Sequence, residues 1–316
     1  MTVRLVGTIT ISNMSQRNKP EETRVLPRPL VSAFPPHLAL VVGVLAASTA
    51  SPIIRLAQAE VNSLAIAAWR LTLASLILAP VTLATRREEL RGLARRDWLL
   101  MLGSGAMLAV HFATWISSLA YTSVAASVVL VSTSPLFVGL GSFLILREHL
   151  SRPLVVGLAV ATVGSAIIGL DDWGQGTHRL TGDLLALAGA LSVAVYFLIG
   201  RRLRARLSLL AYVFPVYSTA AVVLMAVAAL ARVPLGGYPS IHWLWLLLLA
   251  LGPQITGHSS LNWALRHLPA TYVTLAVLGE PIGSSILAWI ILGEIPGIVT
   301  LIGGALVLTG IAIASR

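Results

Sequence analysis

The chain has 316 residues, of which 57% are hydrophobic and 11% charged, with a mean hydropathy of +0.88, a formal net charge of +10 and no cysteine. A soluble domain carries about 25% charged residues, so this chain lacks the polar surface to cover itself in water and is expected to be an integral membrane protein. Disulfides, thiolate metal centres and a cysteine nucleophile are excluded.

Residues 1–36 hold charges and prolines but no long apolar run. They read as a flexible, basic cytoplasmic tail. Residues 4–14 are too weakly apolar for a signal peptide, and Met14 is a second candidate start. A spanning helix needs about 20 mostly apolar residues. Ten such windows follow, at roughly 37–57, 63–85, 97–119, 123–146, 151–170, 181–200, 208–231, 242–265, 270–292 and 296–315. Their connections are short, as between antiparallel neighbours.

Basic residues orient the spans, because Lys and Arg stay on the cytoplasmic side. Eighteen of the 22 lie in the tail, the even-numbered loops and the C-terminus. The opposite side holds only Arg179 and Arg232, and Arg55 and Arg70 fall within spans. Both termini are therefore expected in the cytoplasm of a multi-pass protein of the cell inner (plasma) membrane. The positive charge is a topology signal, and no nucleic-acid partner is expected.

Residues 107–170 align without a gap on residues 253–316, a shift of 146. Pro135 meets Pro281, Glu148 meets Glu294, Gly157 meets Gly303 and Gly164 meets Gly310. Leu119, Val131, Ala166 and Ile167 meet identical residues at the same shift. A constant shift means one fold unit used twice. With five spans per copy the copies insert in opposite senses, the design of secondary transporters. The differences agree: Arg147 and Arg152 flank Glu148, whereas Gly293 and Gly297 flank Glu294. The expectation is an all-α polytopic membrane protein with ten transmembrane helices. These form two inverted five-helix repeats, residues 37–170 and 181–316, around a central cavity.

Two copies of a P-x12-E-x8-G-x6-G pattern, Pro135–Glu148–Gly157–Gly164 and Pro281–Glu294–Gly303–Gly310, resemble the EamA family of the drug/metabolite transporter superfamily. The resemblance covers residues 37–316. It implies a basket-like bundle around a central cavity, and a carrier whose solute is an amino acid or another metabolite, often exported.

A charge near the bilayer centre costs roughly 2.5–3.5 kcal/mol on insertion scales, so each one needs an account. Glu280 lies mid-span before Pro281, which removes a helix hydrogen bond and opens the turn. A carboxylate there can bind a cationic group or carry a proton, and Glu280 is the coupling candidate; a structural hydrogen-bonded acid is the competing reading. Arg70 can capture an anionic group, or instead snorkel or pair with a buried acid. Arg55, nearer the outer face, reads as an interface anchor. His111, Trp115 and Ser118 share one face of the third span, with Ser104 and Met107 extending it. Gln254, His258 and Asn262 share one face of the eighth. Polar stripes on repeat-related spans point to a cavity, although interhelical hydrogen bonding explains either alone. Trp115 or Trp263 can stack on a cationic or aromatic solute. Ser132, Ser134 and Tyr196 are further lining candidates. Pro135, Pro281, Glu148 and Glu294 read as structural, the two glutamates as caps of the following helices.

No phosphate-binding loop of the G-x-x-x-x-G-K-[ST] type and no H-E-x-x-H occurs. No metal or cofactor is expected, and the intramembrane acid stands alone, so an enzyme is not expected. The expected function is a secondary transporter of a small organic solute: an amino acid, another metabolite or an amphipathic drug. It would export by alternating access, driven by the solute gradient or by protons. A passive channel is the alternative and an intramembrane enzyme a remoter one. Solute, coupling and oligomeric state stay open at this stage.

Overall fold

The computed structural model describes residues 35–121, 124–171, 179–292 and 298–314. The basic tail up to residue 34 and Glu294 lie outside them. Among the described residues every regular element is helical. This follows from the solvent: in hydrocarbon a backbone must satisfy its own polar groups, and helices do so within one segment.

The helices are α1 (Pro36–Ser48), α2 (Ala50–Ala57), α3 (Ser63–Thr85), α4 (Arg87–Arg91), α5 (Arg95–Ser118), α6 (Val124–Val131), α7 (Ser134–Gly141) and α8 (Arg152–Asp171). They continue as α9 (Arg179–Arg204), α10 (Leu209–Leu230), α11 (Ser240–Leu249), α12 (Ser259–Ala264), α13 (Ala270–Val277), α14 (Glu280–Leu292) and α15 (Ile298–Ala314). Two π-helical segments, Ser142–Leu146 and Ala250–His258, follow α7 and α11.

Among the described residues six helical stretches are long and apolar enough to cross a membrane: Pro36–Ala57, Ser63–Thr85, Arg95–Ser118, Leu180–Arg204, Leu209–Leu230 and Ala270–Ile291. A turn at 132–133 divides the fourth expected window, and the π segment around Pro253 divides the eighth. The fifth and tenth windows hold α8 and α15. Pro135 and Pro281 account for two breaks at matching positions: α6 gives way to α7 at 132–133, and α13 to α14 at 278–279.

The largest packing interfaces are α8 with α15, α5 with α9, and α3 with α10. In the first, helix backbones touch. A Cβ on Gly310 would lie 2.6 Å from the Gly157 carbonyl oxygen, and one on Gly164 would lie 2.6 Å from that of Gly303. Position 157 thus faces 310 while 164 faces 303, so α8 and α15 run antiparallel. Without a hydrophobic driving force between helices in lipid, such close approach of small residues supplies the association energy.

Related contacts recur elsewhere. Gly43 on α1 abuts Leu261 of α12, and Gly189 on α9 abuts Trp115 of α5; the 146-residue shift carries 43 onto 189 and 115 onto 261, so the two contacts are equivalent. Arg55 Nη1 donates to the Leu119 carbonyl at 3.1 Å, and Arg201 Nη1 donates to the Leu265 carbonyl at 2.8 Å. Arg55, expected as an interface anchor, thus caps the end of α5 through the Leu119 carbonyl. Asp97 holds Arg206 through two hydrogen bonds, which keep that guanidinium above its ordinary range.

Candidate functional site

The helix breaks open onto a cavity that encloses roughly 590 Å³ of empty space, open mouth included. Every one of α1, α2, α3, α5, α6, α7, α9, α12, α13 and α14 contributes lining. Its polar residues are Arg70, His111, Trp115, Ser132, Ser134, His258, Thr274 and Glu280. The remainder is apolar: Ala47, Ala50, Val131, Val193, Phe197, Leu261, Val277 and Leu278.

Glu280 occupies the first turn of α14. The unpaired N–H groups of a helix start favour negative charge there. It is the single carboxylate among the lining residues. Arg70 stands in α3, 1% exposed, with Nε donating to Gln254 Oε1 at 2.9 Å and Cζ 4.2 Å from the Phe112 ring centre. Gln254 sits in the π segment, where a wider turn redirects side chains relative to an α-helix. Arg70 and Glu280 share the cavity, yet no ion pair within 4.0 Å joins them. The competing reading of Arg70 as the partner of a buried acid is therefore replaced by a Gln254 and Phe112 setting.

His111 Nδ1 lies 3.0 Å from the Gly189 carbonyl oxygen, and its ring stacks on Trp115 at 5.7 Å and 9°. In the second copy the equivalent position is Gly257, whose own close neighbour is the Gly43 carbonyl. A glycine in one copy and an imidazole in the other thus face the same helix contact. His258 lies 6.5 Å from His111 and 5.2 Å from Phe112 between ring centres.

The cavity therefore gathers Arg70, His111, Trp115, Ser134, His258 and Glu280 from the sequence candidates. Gln254 stands behind Arg70. Tyr196 and Asn262 are buried and hydrogen-bonded to each other, and Asn262 Nδ2 also donates to the His258 carbonyl at 2.7 Å. Ser118 pairs with Ser127 at 2.5 Å instead of facing the cavity. Ser104 pairs with Tyr212 at 2.7 Å. Trp263 packs its ring on His267, 4.5 Å between centres, away from the lining. Pro135 and Pro281 are buried directly after the breaks. Glu148 differs from the capping expectation. Its Oε1 accepts from Arg201 Nε at 2.8 Å, while Ser151 Oγ accepts from the Leu154 N–H at the start of α8. A guanidinium within reach outcompetes one backbone N–H for a carboxylate.

Sequence reasoning missed the apolar lining. On a spanning helix the side chains facing lipid and those facing an apolar cavity have the same chemistry, so no periodic signal separates them.

The EamA-like transporter family matches residues 35–170 and 180–316. The chain belongs to this family. It is a multi-pass membrane transporter. A probable terminal-alkyne amino-acid exporter of Streptantibioticus cattleyicolor is 27% identical over 286 residues, covering 88% of this chain and 92% of that protein. The pseudopaline exporter CntI of Pseudomonas aeruginosa is 28% identical over 232 residues, 71% and 77% of the two chains. The uncharacterized transporter YdfC of Bacillus subtilis is 25% identical over 183 residues; the match spans 58% of this chain and 59% of that relative. A solved structure titled only as the crystal structure of a protein superimposes with a TM-score of 0.73 at 21% identity, covering 89% of this chain and 96% of that one, a likeness of fold.

Proposed function

We propose that the chain is a secondary carrier that exports a small organic solute from the cytoplasm by alternating access. Its ten spans form two inverted five-helix repeats, residues 37–170 and 181–316, in the plasma membrane with both termini inside. The observation that carries this reading is the crossing of α8 and α15. These helices hold equivalent places in the two copies, and they meet antiparallel through Gly157 with Gly310 and Gly164 with Gly303. Equivalent helices that run oppositely belong to copies that run oppositely, and inverted halves rocking about a midplane site are how such carriers work. The interrupted fourth and ninth spans support the same reading, since broken helices at membrane depth line solute sites.

The solute site is the cavity bounded by Arg70, His111, Trp115, Ser134, His258 and Glu280, with Gln254, Tyr196 and Asn262 as its support. Glu280 is the group that takes up and releases a proton in exchange for the solute, with His111 and His258 lining the same cavity. Export is the direction carried by the named relatives.

Reconstituted in proteoliposomes, the purified chain is expected to give saturable flux of at least one of a panel of radiolabelled amino acids and amphipathic cations. Flux should accelerate when unlabelled solute is present on the far side. Flux that rises linearly with concentration and shows no such acceleration would identify a channel instead.

A further inference from the structure

Three buried nitrogen atoms at the cavity wall have no partner. They are Arg70 Nη1, Trp115 Nε1 and His258 Nδ1, on side chains 1%, 4% and 8% exposed. All three residues line the one cavity. They are held together by Phe112, whose ring centre lies 4.2 Å from the Arg70 guanidinium carbon, 5.2 Å from the His258 ring and 6.4 Å from the Trp115 ring. An unpaired buried donor costs free energy that nothing in the protein returns, and here three such groups belong to residues that line one cavity. Gln254 fixes the guanidinium through Nε, which leaves the Nη1 edge turned to other partners.

The opposite charge in the cavity is also unspent. Glu280 and Arg70 face one space without touching. Two buried opposite charges held apart are unfavourable unless a third body bridges them. An anion alone would leave Glu280 unanswered, and a cation alone would leave Arg70 and the Trp115 N–H unanswered.

We propose that Arg70 Nη1, Trp115 Nε1 and the Nδ1–H tautomer of His258 form a carboxylate subsite, and that the solute is a zwitterion whose ammonium group faces Glu280. The apolar wall of Val193, Phe197, Leu261 and Val277 receives an uncharged side chain between the poles. Among the solutes considered for this carrier, the subsite selects those with a free carboxylate and disfavours purely cationic drugs. Trp115 acts here as a donor and not only as a stacking surface. This deepens the carrier reading and rests on it.

The test is thermal unfolding of the purified full chain with each of the twenty standard amino acids, and with the carboxamide of each one that binds. At least one amino acid is expected to raise the melting temperature, with its carboxamide giving little or no shift. Replacing Trp115 by 3-benzothienylalanine keeps the bicyclic ring and exchanges only the N–H for sulfur. That variant should melt like the wild type without solute, because the N–H bonds nothing in the protein, and bind the amino acid about tenfold more weakly. Arg70→Gln should abolish binding; if it does not fold, the benzothienyl variant decides the matter. A carboxamide that binds as well as its acid, wild-type affinity in the benzothienyl variant, or no binding of any amino acid each overturns the subsite. Saturable, accelerated flux of a quaternary ammonium drug alongside no amino-acid binding would leave the carrier standing and remove this inference alone.

Discussion

Glu280→Gln is expected to lower solute flux by about tenfold or more while leaving the protein folded. The change removes a charge and keeps the shape. It breaks no direct ion pair, because no cationic group lies within 4.0 Å of the carboxylate. The stability of the bundle should therefore be close to that of the wild type. Function should not survive equally well. The carboxylate is the single acid lining the cavity, at the start of α14, and an amide can neither balance an ammonium group nor take up a proton. In the variant, an imposed pH gradient should no longer drive flux, even where exchange of solute for solute persists. Wild-type flux with a wild-type response to the gradient, in a variant verified as folded, would remove Glu280 from the mechanism. His111→Ala, which deletes the contact to the Gly189 carbonyl, should impair flux as well, without abolishing the response to the gradient.

The largest structural effect is expected at Gly164. A Cβ there would sit 2.6 Å from the Gly303 oxygen, 2.8 Å from Leu306 Cβ and 2.8 Å from the Val307 nitrogen. None of these atoms is the free end of a flexible side chain, so the neighbour cannot turn aside and the helices must part. Gly164→Leu is expected to cost more than the roughly 1–3 kcal/mol of ordinary overpacking, because it opens the whole α8–α15 interface. Thermal unfolding in detergent should show a markedly lower midpoint. Gly103→Ala is the matched control: nothing lies within 4 Å of its added Cβ, so stability should hold or rise slightly. Equal midpoints for the two variants would mean that the crossing does not hold the bundle together.

Much of the architecture is written in the sequence because a membrane leaves few alternatives. Apolar windows become helices, and Pro135 and Pro281 mark breaks that the structure places two residues before each proline. The small residues at 157, 164, 303 and 310 announce a close helix contact, although which helices meet emerges only in three dimensions. The candidate cavity is legible where polarity is out of place, as at Arg70, His111, His258 and Glu280. It is not legible where a polar residue has a private partner. Ser118 turns to Ser127, Trp263 to His267 and Glu148 to Arg201, and each contact depends on a helix pairing that spacing along one chain does not encode. The π segment around Gln254 explains a further difference: an i, i+4, i+8 stripe drawn on an ideal helix loses register there. Gln254 therefore supports Arg70 while His258 reaches the cavity.

The central claim is that two copies of one unit face opposite ways. The chain has no cysteine, so single cysteines report position directly. His149 and Ile295 are equivalent under the 146-residue shift and follow the two repeat glutamates. His149→Cys and Ile295→Cys, each alone in intact cells, are to be treated with a membrane-impermeant maleimide before and after permeabilisation. Inverted repeats predict that Ile295→Cys labels from outside in intact cells and that His149→Cys labels only once the membrane is opened. Labelling of both from the same side would contradict the inverted arrangement and the alternating-access carrier built on it.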